Sequence, residues 1–176
     1  MALAATADWI SWVQANATFG ADTLTIRAAF GAALAGLLLA LSIADLRRML
    51  LPDRLNLLLA GAGIGQSVVR GQPDLIDAAV GAAVGGGLMM LVAALFRRAR
   101  GIEGLGFGDQ KFVAAAGLWI GWQGLPLMLL VGSVSALVFV AIRAARQGKL
   151  DLKAQLPFGP FLGAGTLVAW LVMVSA

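Results

Sequence analysis

The sequence predicts an all-α polytopic membrane protein with about six transmembrane helices and both termini on the non-cytoplasmic side. Three observations carry this. The 176 residues are 60% hydrophobic and only 12% charged, with a mean hydropathy of +0.90. A soluble body of this size is mostly surface and has no interior large enough for so much apolar matter. Long uncharged runs alternate with short charged turns, which is the pattern of membrane spans. Eleven of the thirteen Lys and Arg residues fall in three of those turns, which matches the excess of positive charge on cytoplasmic loops.

Residues 1–23 form an N-terminal interfacial segment in this reading, and residues 24–176 a transmembrane domain. The segment up to Thr25 has no Lys or Arg, so the basic start of a secretory signal is missing. Trp9, Ile10, Trp12 and Val13 suit a short amphipathic stretch with tryptophans at the membrane interface. The first span is expected over 24–44. It ends in Asp45-Leu46-Arg47-Arg48, and Pro52 is placed to open the next helix.

The second span, 55–69, reaches only about 22 Å at about 1.5 Å per residue. Asn56 and Gln66 within it point to packing inside a bundle. Arg70-Gly71-Gln72-Pro73-Asp74 reads as a turn, with Asp74 and Asp77 as candidate caps for a third span over 75–96. Gly81 and Gly85 make a small-xxx-small pair suited to close helix contact. From Phe112 to Ile142 no residue is charged. A single helix of that length would run about 46 Å, too far for an untilted span. Gly121-Trp122-Gln123-Gly124-Leu125-Pro126 therefore divides it, giving spans over 109–122 and 125–142. The last span is expected over 158–174.

Composition restricts the chemistry. Cys, His and Tyr are absent, which leaves no thiolate or imidazole nucleophile, base or metal ligand. No cofactor, metal or nucleic acid is implied. Carboxylates remain, and topology brings two of them to one side of the membrane. Asp45 ends the first span and Asp109 begins the fourth, after the glycine-rich stretch Gly104-Leu105-Gly106-Phe107-Gly108. Two carboxylates a few ångströms apart share one proton. Such a pair can hold a water, deprotonate it for attack on a carbonyl and protonate the leaving amine. Read without catalysis, Asp45 is a charge-paired boundary residue, and Lys111 either tunes the potential at Asp109 or marks the interface. Asp53, Glu103 and Asp151 read as surface charges. A proton or cation relay in a small transporter or channel subunit is the competing function, because intramembrane acids also serve that role. A relay places its carboxylates near mid-membrane, whereas these lie at the edge.

Three stretches then carry a resemblance. Gly104-Leu105-Gly106-Phe107-Gly108-Asp109-Gln110-Lys111, with the Phe112 to Gly117 run behind it, resembles the Gly-x-Gly-Asp signature of the type IV prepilin peptidases, which are intramembrane aspartyl proteases. Asp45-Leu46-Arg47-Arg48 with Leu51-Pro52-Asp53-Arg54-Leu55 resembles their first signature. Leu156-Pro157-Phe158-Gly159-Pro160 resembles the segment before their last helix. The resemblance implies an endopeptidase of the bacterial inner membrane. Its substrates would be type IV prepilins or type II secretion pseudopilins, cut at the cytoplasmic face beside the lipid bilayer. It implies Asp45 and Asp109 as the catalytic pair, with Gly106, Gly108, Lys111, Pro157 and Gly159 as substrate-binding or structural support. Members that also methylate carry an N-terminal region with paired cysteines. This chain has no Cys, so the reading is a short, peptidase-only form.

Overall fold

The computed structural model describes residues 2–101, 106–147 and 156–175, with side chains from Leu24 onward apart from that of Arg100. The tryptophans of the expected interfacial segment fall before those side chains. Glu103, Gly104, Lys149, Asp151 and Lys153 also lie outside the described residues. By its internal contacts the chain forms two units, residues 1–33 and 34–176, and the site described below belongs entirely to the second.

Five helices make up the described fold, with no strand among the described residues. They are α1 (Ala2–Arg48), α2 (Asp53–Arg70), α3 (Leu75–Arg100), α4 (Phe107–Gln147) and α5 (Gly159–Ser175). Three contain stretches long and apolar enough to cross a membrane: Leu24–Arg48, Leu75–Ala99 and Phe107–Arg146. α5 is apolar but shorter. Five helices stand where six spans were expected, because 109–122 and 125–142 lie in one element. That element is nonetheless broken within the expected stretch. Gly121 has φ 60 and ψ −177, a backbone conformation that side-chain-bearing residues rarely adopt. Pro126, a turn further on, cannot donate back to the Trp122 carbonyl.

The helix ends follow from local chemistry. Pro52 caps α2, and its carbonyl accepts from Leu55 N–H at 3.1 Å and Asn56 N–H at 3.2 Å. α2 and α3 stop at left-handed glycines, Gly71 (φ 66) and Gly101 (φ 68), the common helix terminator. Asp74 caps α3 by accepting from the Asp77 N–H at 2.6 Å. Asp77 does not cap; its carboxylate accepts from Trp122 Nε1–H at 3.1 Å and so ties α3 to the break in α4. Arg97 and Arg98, read from sequence as a loop, extend α3, and Arg143 and Arg146 lie within α4. Cations in a final helical turn offset the partial negative charge of its free carbonyls.

Small residues bring the helices together. A Cβ on Gly81 would sit 2.5 Å from the Gly117 carbonyl oxygen and 2.6 Å from the Gly121 carbonyl carbon, so α3 and α4 meet backbone to backbone there. Gly85 packs on Val113 and Leu125. Gly165 of α5 meets the Met128 carbonyl of α4 in the same way. Gly63 of α2 faces Trp119, whose Nε1–H donates to the Leu59 carbonyl at 2.7 Å. Gln66, 1% exposed, joins three helices. Its Nε2 donates to the carbonyls of Trp119 and Gln72, both at 3.2 Å, and its Oε1 accepts from Trp170 Nε1–H at 2.6 Å.

Candidate active site

Asp45 lies one turn before the end of α1 and is 6% exposed. The chain reverses directly after it. Met49 takes a left-handed φ of 49, uncommon for a residue with a side chain, and its N–H donates to the Asp45 carbonyl at 2.8 Å. The carboxylate of Asp45 points into a different helix end. Its Oδ2 accepts from the Gly159 N–H at 2.8 Å, the first N–H of α5. A helix start leaves several backbone donors without intrahelical partners and carries partial positive charge. Here Asp45 takes one donor, Pro160 has none to offer, and Phe161 and Leu162 donate to the Phe158 carbonyl, both at 3.1 Å. Pro157, half-buried, precedes this turn.

Gly159 is required by space. A Cβ at that position would lie 2.9 Å from Asp45 Oδ2 and 3.1 Å from Asp45 Cβ. The first and third sequence motifs therefore meet as a carboxylate against a bare backbone.

Asp109 occupies the first turn of α4. Gly106 caps that helix start through its carbonyl, which accepts from Asp109 N–H at 3.2 Å and Gln110 N–H at 3.5 Å. A backbone hydrogen bond from Gly106 also reaches the Asp109 carboxylate, and a Cβ on Gly106 would sit 3.3 Å from Asp109 Oδ2. Gly108 does a different job. Its missing side chain admits Leu51, whose Cβ would be 2.9 Å from a Gly108 Cβ. Leu51 is 8% exposed, so the turn between α1 and α2 is pinned to the first turn of α4. Lys111 reinforces this join: Nζ lies 2.7 Å from Asp53 Oδ1 and 4.6 Å from the centroid of the Phe107 ring. Asp53, expected as a plain surface charge, is thus the partner of Lys111.

The three motifs converge. Asp45 and Asp109 lie within electrostatic reach of each other. One is held by the N-terminus of α5 and the other by the Gly106 cap of α4. Among the described residues no group of three or more Asp, Glu, His or Cys side chains is placed to hold a metal ion. Leu51 was quoted from sequence only as part of the first signature; beside Met49 and Leu50 nothing there marked it as the residue that packs on Gly108.

The profile of the type IV leader peptidase family matches residues 32–142, which contain both aspartates. The chain is 38% identical over 156 residues to a prepilin leader peptidase/N-methyltransferase of Burkholderia pseudomallei, covering 86% of this chain and 50% of that protein. It is 37% identical over 138 residues to one from Escherichia coli K12, covering 76% and 60%. It is 40% identical over 127 residues to the leader peptidase HopD of Escherichia coli, covering 72% and 82%. The chain spans about half the length of the first of these relatives. No solved structure matches it. With the profile lying across both aspartates, and with a relative matched over most of both lengths, this chain belongs to the type IV leader peptidase family.

Proposed function

We propose that this protein is a membrane aspartyl endopeptidase that cleaves the leader peptide of type IV prepilins or type II secretion pseudopilins at the cytoplasmic face of the bacterial inner membrane. The observation that carries the proposal is the seating of the Asp45 carboxylate on the first N–H of α5, within electrostatic reach of Asp109. Two of the three motifs meet directly there, and the third is drawn in by the packing of Leu51 on Gly108. Family membership weighs against the relay.

The chemistry follows from one shared proton. With one carboxyl protonated and one charged, a water held between them is activated. The charged carboxylate takes a proton from the water as its oxygen bonds to the peptide carbonyl carbon. The protonated partner gives its proton to the carbonyl oxygen. Collapse of the tetrahedral intermediate returns that proton to the partner and breaks the C–N bond, and the amine leaves with the proton first taken from water. The backbone donors around each carboxylate hold the pair in register.

In this reading the two halves of α4 on either side of Gly121 serve as separate spans, giving six. Arg47, Arg48, Arg54, Arg97 and Arg98 then lie on the cytoplasmic side with the aspartates.

The test is cleavage of a prepilin or pseudopilin by the purified protein in proteoliposomes. Asp45→Asn and Asp109→Asn keep size and shape, and the carboxamide oxygen that Asp45→Asn introduces can still accept from the Gly159 N–H. Each variant is expected to abolish cleavage while the protein stays folded in detergent. Near-normal cleavage by either variant would remove that aspartate from the mechanism.

A further inference from the structure

One charge beside the aspartates has no part in the reaction above. Asp53 is the first residue of α2, and its side chain is 64% exposed. Its Oδ1 accepts from Lys111 Nζ at 2.7 Å, across 58 residues of sequence. Lys111 lies two residues beyond Asp109, and its side chain is 37% exposed. Its ammonium also sits 4.6 Å from the centroid of the Phe107 ring. A second contact joins the same two segments, where Leu51 fills the space left by Gly108. The start of α4 is thus gripped at two points, Gly108 and Lys111, by residues of the turn that follows Asp45 and of the first turn of α2.

Helical spacing says what the grip controls. Gly108 and Lys111 are three residues apart and share one face of α4. Asp109 lies about 100° round from Gly108 and about 160° from Lys111 at 3.6 residues per turn. It is therefore carried on a face that the grip leaves open, with its Oδ2 near Gly106. Leu51 on a bare glycine is an apolar contact with no direction, about which the helix start can roll. The ion pair, one residue past a full turn from Phe107, stops that roll. A side-chain end about 5 Å from a helix axis moves about 1 Å for each roll of about 12°, and a shift of that size disturbs a catalytic geometry. We propose that Asp53 is a positioning residue for the aspartate pair: through Lys111 it fixes the rotation of the first turn of α4, and so the aim of the Asp109 carboxylate. This rests on the peptidase reading and adds to it a residue that acts only through another side chain.

Positioning separates here from stability and from binding. An ion pair open to water adds little to stability, so Asp53→Asn is expected to shift the melting temperature by no more than about 4 °C. In proteoliposomes with a prepilin it is expected to lower kcat about fivefold, the most that an exposed pair biases an equilibrium. KM should stay within about twofold, because no substrate contact is removed. Lys111→Met is expected to act alike, and the two changes together should lose no more than either alone, since the pair acts as a unit. Charge reversal is the sharper arm. Asp53→Lys sets two ammonium groups against each other and is expected to lower kcat at least about tenfold. Adding Lys111→Glu remakes the pair in reverse and should restore kcat to within about threefold of wild type. A kcat within twofold of wild type in Asp53→Asn, a change confined to KM, or a double reversal no better than Asp53→Lys would overturn the positioning role and leave the peptidase reading intact. If Asp53→Lys does not fold, the set of Asp53→Asn, Lys111→Met and their combination decides. Failure of the wild-type protein to cleave any prepilin or pseudopilin would remove both readings together.

Discussion

At the scale of single residues, two glycines bound the aspartates, and they differ in how much room they leave. At Gly159 an added methyl would meet Asp45 at its Oδ2, Cγ and Cβ within 2.9–3.2 Å, so the carboxylate must leave its seat on α5. At Gly106 the nearest atom is Asp109 Oδ2 at 3.3 Å, a contact that a small rotation relieves. Gly159→Ala is therefore expected to lower kcat/KM at least about tenfold, since a misplacement near 1 Å is enough for a loss of that order. Gly106→Ala should retain a substantial share of activity. Asp45 Cβ, fixed to the α1 backbone, is also met at 3.1 Å, and the buried carboxylate loses its backbone donor, so the melting temperature of that variant is expected to fall as well. A large loss of stability with activity preserved would mean that Gly159 serves packing alone. Gly106 stands out in the sequence as a glycine close to a carboxylate, and Gly159 as part of Pro157-Phe158-Gly159-Pro160. What each one touches does not, because Asp45 and Gly159 are 114 residues apart and no local rule pairs them.

Among the elements, α3 shows what sequence spacing can and cannot say. Gly81, Gly85, Gly86 and Gly87 lie on one helix, and the small-xxx-small pair Gly81/Gly85 was legible as a contact face. The structure separates them further. Gly81 meets backbone of α4 within 2.9 Å, Gly85 meets the Val113 carbonyl oxygen and two side chains no closer than 3.1 Å, Gly86 meets Ala114 at 3.1 Å, and Gly87 meets nothing within 4 Å. Backbone cannot move aside as a side chain can. Gly81→Ala is expected to destabilise the protein by about 1–3 kcal/mol, as overpacking does. Gly87→Ala should be neutral or stabilising by up to about 1 kcal/mol, because alanine restricts the unfolded helix segment more than glycine. Thermal unfolding in detergent, run on both variants together, reads the difference. Equal effects would mean that α3 and α4 are not in backbone contact at Gly81. α4 shows the complementary limit. The need for a break was readable from the length of the uncharged run and from Pro126. Its exact place at Gly121 depends on Pro73 and Asp77, which pack on that glycine from the α2–α3 turn and α3.

Across the second unit as a whole, the two ends of the helix bundle are built differently. At one end Gln66 locks α2, α4 and α5 together. The candidate site gathers at the other, about 15 Å away along α4 by helical rise from Asp109 to Trp119. Gln66→Leu would leave the Trp170 indole N–H without its acceptor and is expected to cost about 1–3 kcal/mol. Gln66 as a bundle residue was readable, with Asn56, as an amide in an apolar span. Its partners were not, because two of the three, Trp119 and Trp170, come from distant stretches of chain.

The same two ends should face opposite sides of the membrane, and the absence of cysteine makes this directly testable. Arg47, Arg48, Arg54, Arg97 and Arg98 lie toward the aspartates, whereas Gly71 and Gln72 cap the far end of α2. Single cysteines introduced as Arg98→Cys and Gln72→Cys are both at exposed positions, so neither should disturb packing. In intact inner-membrane spheroplasts, Gln72→Cys is expected to react with a membrane-impermeant maleimide at once, and Arg98→Cys only after permeabilisation. Positive charge is retained on the cytoplasmic side during insertion, so the reverse pattern would place the aspartates on the outer face. A leader that is cut before export could not reach them there, whatever the geometry of the pair.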